Sequence, residues 1–253
     1  RENVYDAVHQ MRVAARKIRS ILLSYPGVIA PEMAAPVADE LRLLGEVLGD
    51  ARDREVRLAT NELLLAREDA PADLVKALVD DERDGHQQAL KALRFALSTQ
   101  RYITMLDDLD RLITAPIPGP MAERPARDIA ADAVGGAYSR MVKAEKKLRK
   151  YTPWSPEWME QLHTIRKRAK ALRYTAESAA PLNRRALDRA GAEAKKVQTY
   201  LGDFNDTVVN RRRLTEIATD PSLSPEAVFV LGRIDAHEES RGRRAVKKYR
   251  RAR

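Results

Sequence analysis

Apolar positions along this chain recur mostly at intervals of three and four residues, the spacing that lays one side of a helix against a core. The first such stripe is Val8, Met11, Ala15, Ile18 and Leu22. With Pro26-Gly27 as its stop, it predicts a helix from Glu2 to Tyr25. Val37, Leu41, Leu44, Leu48 and Ala51 carry a long second helix, expected from Pro36 to the break at Ala70-Pro71. Gly45 and Gly49 weaken it by about 1 kcal/mol each relative to alanine, and a glycine there permits close approach of a neighbour. Leu74, Leu78, Leu90, Leu93 and Leu97 define a third helix, Ala72 to Leu97, interrupted at Gly85, and a shorter one follows from Arg101 to Ile113. The proline-rich run from Ala115 through Pro125 is not helical and reads as a joint. Beyond it the pattern predicts helices over 126–150, 156–180, 184–219 and 226–251, separated by prolines. The expected class is all-α, one domain in two halves: 1–114, a joint at 115–125, and 126–253.

One stretch occurs twice. Val8-His9-Gln10-Met11-Arg12 opens the first copy and Leu162-His163-Thr164-Ile165-Arg166 the second. In each, cations follow the histidine at offsets of three, seven and ten residues: His9, Arg12, Arg16, Arg19 and His163, Arg166, Lys170, Arg173. At about 100° per residue these side chains fall within a stripe roughly 80° wide. The apolar stripe lies beside it, with Leu162, Ile165, Ala169 and Leu172 serving the second copy, so the cations belong at the edge of a core. Like charges at helical neighbours repel. A destabilising device built twice suggests a polyanionic ligand.

A second pair of motifs follows in the same order. Leu48-Gly49-Asp50-Ala51-Arg52-Asp53 matches Leu201-Gly202-Asp203-Phe204-Asn205-Asp206 at nearly the same distance from its histidine. This predicts an internal duplication. It also predicts a helix ahead of Arg1, because a helix precedes the second histidine helix and none precedes the first.

Composition adds a field and removes several chemistries. The net charge is +9, yet residues 26–85 hold seven Lys/Arg against fifteen Asp/Glu, a net of −8, so the remainder carries +17. Such asymmetry concentrates anions at one region. There are no cysteines, which excludes disulfides, thiolate metal sites and cysteine nucleophiles. No apolar run is long enough to span a membrane and no signal peptide is recognisable, while a start at Arg1 suits a piece of a longer protein.

The same three-seven-ten spacing returns in Arg140, Lys143, Lys147 and Lys150, and in Arg241, Arg244, Lys248 and Arg251. Rows of guanidinium and ammonium groups suit phosphate oxygens. Lys17 and Lys196 join the candidate phosphate contacts. Asp50, Asp53, Asp203 and Asp206 are expected to hydrogen-bond these cations and fix their rotamers. Their alternative role is to hold magnesium in a metal-dependent phosphoanhydride hydrolase. A histidine set among arginines is a poor metal ligand, since the cations repel the ion, so no metal or cofactor is expected. A third reading, a nucleic-acid binder, is disfavoured by the scarcity of aromatics for base stacking.

The VHQMRVAARK opening together with LGDARD, and LHTIRKRAKALRY together with LGDFND, resembles a CHAD domain, the conserved histidine α-helical domain. The resemblance covers essentially the whole chain. It implies two pseudo-symmetric four-helix bundles and a non-catalytic module that binds inorganic polyphosphate in a basic channel, often beside a CYTH domain. The implied ligand residues are the eight of the two histidine stripes, where sulfate or phosphate would settle in a crystal. A cytoplasmic location beside polyphosphate granules, with no membrane partner, is also implied. Two departures are visible: Lys17 faces Ala171 as its counterpart, and Arg52 faces Asn205.

Overall fold

The computed structural model describes residues 4–252, and among them every regular element is helical. The helices are α1 (Val4–Ser24), α2 (Pro31–Glu68), α3 (Ala72–Val75), α4 (Asp81–Leu97), α5 (Gln100–Thr114), α6 (Ala126–Leu148), α7 (Pro156–Ala179), α8 (Arg184–Ile217) and α9 (Pro225–Ala252). The protein is all-α. The predicted start of the first helix at Glu2 lies outside the described residues.

The chain gathers into two compact units. The first comprises the chain up to Leu22, Gly27–Pro120 and Leu214–Ile234; the second comprises Leu23–Pro26, Met121–Arg213 and the chain from Asp235. Residues 214–234, which the sequence pattern places in the second half, thus pack with the first unit. There Leu214, Ala227, Val230, Leu231 and Ile234 close a cluster on Leu65, Leu74, Leu78 and Val79. Asp73 accepts the Ser224 backbone N–H at 2.6 Å, and Ser224 in turn caps α9 by accepting the Ala227 N–H. The Ser224 N–H and then its hydroxyl hold the Asp73 carboxyl below its ordinary pKa.

The rest of the first unit packs α1 and α2 with α5 around Ala15, Val37, Leu41 and Met105, and with α4 around Leu48, Ala51, Ala89 and Leu93. Ile18, expected to face inward, is 37% exposed. The cluster beside it closes on the small Ala15 and on Leu22, which leaves Ile18 at its rim.

In the second unit α6, α7, α8 and α9 share one core, with Ala144, Trp158, Ile165, Leu201, Phe204 and Tyr249 among its members. All four apolar stripe positions of the second histidine helix, Leu162, Ile165, Ala169 and Leu172, are at most 3% exposed. Burying a large aliphatic side chain contributes about 1.5–3 kcal/mol. The buried Gln161 amide donates to the Ala144 carbonyl at 2.8 Å and pins α7 against α6.

Two boundaries depart from the sequence pattern for tertiary reasons. α2 begins at Pro31, with Pro36 inside the helix. Its start is fixed by the proline-rich joint: Ala30 donates to the Ile117 carbonyl at 2.9 Å and Gly119 to the Val28 carbonyl at 3.0 Å. The break in the third helix falls at a π turn over Lys76–Asp80, ending five residues before Gly85. The wider turn lets the adjacent Leu78 and Val79 both be buried, and Asn61 donates to the Leu78 carbonyl at 2.7 Å.

Two glycines separate local propensity from packing. A Cβ on Gly119 would lie 2.4 Å from the Gly27 carbonyl oxygen, whereas one on Gly45 meets nothing within 4 Å. Gly45→Ala is therefore expected to stabilise the protein by about 0.5–1 kcal/mol, and Gly119→Ala to destabilise it by about 1–3 kcal/mol, both read from urea unfolding midpoints. The Asp73 contact predicts a pH signature. Because the folded carboxyl titrates below its unfolded value, its stabilisation is present above the ordinary aspartate range and lost as pH falls through the lowered folded value. The stability gap between wild type and Asp73→Asn should narrow over that acidic window in urea titrations at stepped pH.

Candidate functional site

Each histidine helix is held against its unit by the apolar stripe, so its cations emerge at the edge of the core. Arg12, Arg16, Arg19, Arg166, Lys170 and Arg173 are all half-buried, as is His163; His9 and Lys17 are exposed.

Arg12 grips Asp53 with two parallel bonds, Nη1 to Oδ1 at 2.6 Å and Nη2 to Oδ2 at 3.1 Å. Its guanidinium lies over Gly49, where an added Cβ would sit 3.5 Å from Nη2. The second unit repeats this placement. Arg166 lies over Gly202, with its Nε 3.4 Å from an added Cβ. So the glycine of each LGDxxD motif leaves room for the arginine three residues after each histidine. An alanine there would just touch the guanidinium and a larger side chain would displace it. The Nε atoms of both Arg12 and Arg166 are buried without a hydrogen-bond partner.

The carboxylates divide. Asp53 reaches the histidine helix, while Asp50 turns back to Arg54 on its own helix at 3.0 Å. Asp203 and Asp206 are exposed. Among the described residues no group of three or more His, Asp or Glu side chains is arranged to hold a metal ion.

Several candidate cations are engaged by neighbours. Arg19 Nε donates to the Ala38 carbonyl at 3.2 Å, Arg173 pairs with Glu177 at 2.6 Å, and Arg244 donates to Ser240 Oγ at 2.7 Å. Lys196 pairs with Glu193 at 2.8 Å, and that hydrogen bond holds the ammonium pKa above the ordinary lysine value. Lys170 and Arg173 lie 5.8 and 5.5 Å from the Tyr174 ring centroid, and Lys147 lies 5.9 Å from that of Tyr151. Arg140, Lys143, Lys147 and Lys248 are exposed on α6 and α9.

The two histidines have different surroundings. His163 Nδ1 lies 2.8 Å from Asn205 Oδ1, which ties α7 to α8. The pair borders a cavity of about 310 Å³ lined also by Met159, Glu160, Phe204 and Val208. In the first copy the residue aligned with Asn205 is Arg52, which pairs with Glu55 at 2.5 Å. In the sequence alone Asn205 stands out only as a departure from Arg52. Its register with the histidine was the available signal.

The Arg12–Asp53 pair joins a side chain 17% exposed to one 54% exposed. Solvent at Asp53 limits what such a pair contributes. A double-mutant cycle with Arg12→Lys and Asp53→Asn, measured by chemical denaturation, should return a coupling below about 1 kcal/mol. The pair orients the guanidinium more than it stabilises the fold.

The profile of the CHAD domain matches residues 1–215. Two relatives from Mycobacterium tuberculosis, Uncharacterized protein Rv2226 of strain ATCC 25618 / H37Rv and Uncharacterized protein MT2285 of strain CDC 1551 / Oshkosh, are each 39% identical over 237 residues. The match covers 92% of this chain and 44% of each relative, so the chain spans less than half their length. Among solved structures, PptA from Streptomyces chartreusis is similar with a TM-score of 0.80, over 98% of this chain and 89% of its own, at 16% identity. At that identity the likeness is one of fold.

Proposed function

The chain belongs to the CHAD domain family, and on that premise we propose that it binds inorganic polyphosphate along its histidine helices without catalysing a reaction. The observation that carries the reading is the matched seating of Arg12 over Gly49 and Arg166 over Gly202, each leaving a buried Nε–H without a partner. A guanidinium fixed at the edge of a core meets an anion with little rearrangement of its side chain.

The rest of each row suits a polymer. On α7, Arg166, Lys170 and Arg173 follow His163 at about 4.5, 10.5 and 15 Å along the helix axis. A linear chain of phosphates meets such a row at several points; a single phosphate meets one. The exposed Lys143, Lys147 and Lys248 extend the positive surface of the second unit, and Lys17 that of the first. Cations already paired, such as Lys196 with Glu193, exchange a carboxylate for a phosphate and so add less to affinity than unpaired ones. Asp53 then acts as the support that keeps Arg12 extended. None of the described helices is long and apolar enough to cross a membrane.

Long-chain polyphosphate, titrated calorimetrically at near-physiological salt, should bind far more tightly than orthophosphate or sulfate. Affinity should fall steeply with salt, because each neutralised phosphate releases counterions. Arg12→Glu combined with Arg166→Glu should abolish binding. Lys143→Glu with Lys248→Glu, at exposed positions, should weaken it while leaving the circular dichroism spectrum unchanged. Polyphosphate that binds no better than orthophosphate, or that is displaced equally well by duplex DNA, overturns the reading.

A further inference from the structure

We infer that Asn205 is a positioning residue for His163: it fixes the imidazole as the Nδ1–H tautomer, so that a phosphate contact at this histidine requires uptake of a proton. The inference rests on the polyphosphate reading given above. Its starting point is the 2.8 Å approach of His163 Nδ1 to Asn205 Oδ1. An amide oxygen only accepts, so the imidazole nitrogen facing it carries the hydrogen. A neutral imidazole has one N–H, and its other nitrogen, Nε2, is then a lone pair. Phosphate oxygens are acceptors too. Neutral His163 therefore has nothing to donate to a phosphate, and protonated His163 donates from Nε2 while keeping its bond to Asn205.

The surroundings act in the same direction. The charged side chain that shares the cavity with His163 is Glu160, one turn earlier on α7, and it is another acceptor. The contributions of α8 to that cavity, Phe204, Asn205 and Val208, do not titrate. Asp203 and Asp206 flank Asn205 on α8 and are exposed, and Arg166 lies one turn beyond His163. An arriving phosphate meets acceptors on both sides of the ring until the imidazole gains its proton; Arg166 is the adjacent fixed donor. Among the described residues no amide stands at the corresponding place in the first copy. His9 is exposed, and Arg52 stands where Asn205 stands in the second. The two histidine helices thus differ in how they respond to pH, and one amide makes the difference.

The test has two independent arms. On the ligand-free protein, long-range nitrogen–proton NMR correlations of His163 should report the Nδ1–H tautomer at neutral pH. Asn205→Ala should release that preference, and Asn205→Asp, which keeps an acceptor in place, should retain it. On the complex, polyphosphate titrations in buffers of different ionisation enthalpy should show proton uptake, with affinity rising as pH falls from about 8 to 5.5, by at most about tenfold per pH unit for one proton. His163→Ala and Asn205→Ala should both lose that component, with Arg12 and Arg166 intact. An Nε2–H tautomer in the free protein, the result of a reversed Asn205 amide, overturns the inference. So does equal proton uptake in wild type and Asn205→Ala. A protein that binds no polyphosphate overturns the ligand reading and the proton link with it, while the tautomer is decided on the free protein either way.

Discussion

A large cation can be held at the edge of a packed core only if the backbone beneath it leaves space. Here that space comes from two glycines, Gly49 under Arg12 and Gly202 under Arg166. The phosphate-binding reading of the two histidine helices rests on this seating. It takes the long, flexible side chain of arginine and removes most of its freedom before any ligand arrives, so less ordering remains to be done on binding. At both positions an alanine would still fit in ordinary contact, at 3.5 and 3.4 Å, so what the seating excludes is any side chain larger than alanine.

The supports around this seating are not the same in the two units. The first unit supplies a carboxylate clamp, Asp53 on Arg12, and leaves its histidine exposed. The second ties its histidine to Asn205 and seals its apolar stripe completely. Repetition of a sequence pattern therefore does not imply repetition of electrostatic environment. In the first unit a carboxylate orients the guanidinium of Arg12, and in the second an amide faces the imidazole of His163.

Much of the helical layout was legible in the sequence because prolines and three-four periodicity act locally. The stripe of Leu162, Ile165, Ala169 and Leu172 is a plain example. What escaped was set by distant contacts. The start of α2 depends on a backbone crossing with Ile117 and Gly119, some ninety residues away, and the π turn depends on Asn61 and on two adjacent apolar residues that both need burial. The rows of cations were legible too, since offsets of three and seven need no tertiary knowledge. Their partners were not. Asp50 and Asp53 look alike in the motif, yet one lies toward the histidine helix and the other toward its own Arg54. A three-residue step turns a side chain by about 60°, and that rotation decides which arginine it meets.

The aromatic residues carry a last consequence. Both tryptophans of the chain, Trp154 and Trp158, belong to the second unit, where their rings stand 5.3 Å apart and each lies 6.0 Å from Phe204. Trp154 is partly exposed, with the Arg243 guanidinium 5.4 Å from its ring. Phe204 directly precedes Asn205 in the chain. Intrinsic tryptophan emission is thus a private signal of one unit, close to the helix turn that carries Asn205, and the other unit holds no tryptophan. Events in the two halves of the molecule can be told apart with no added label.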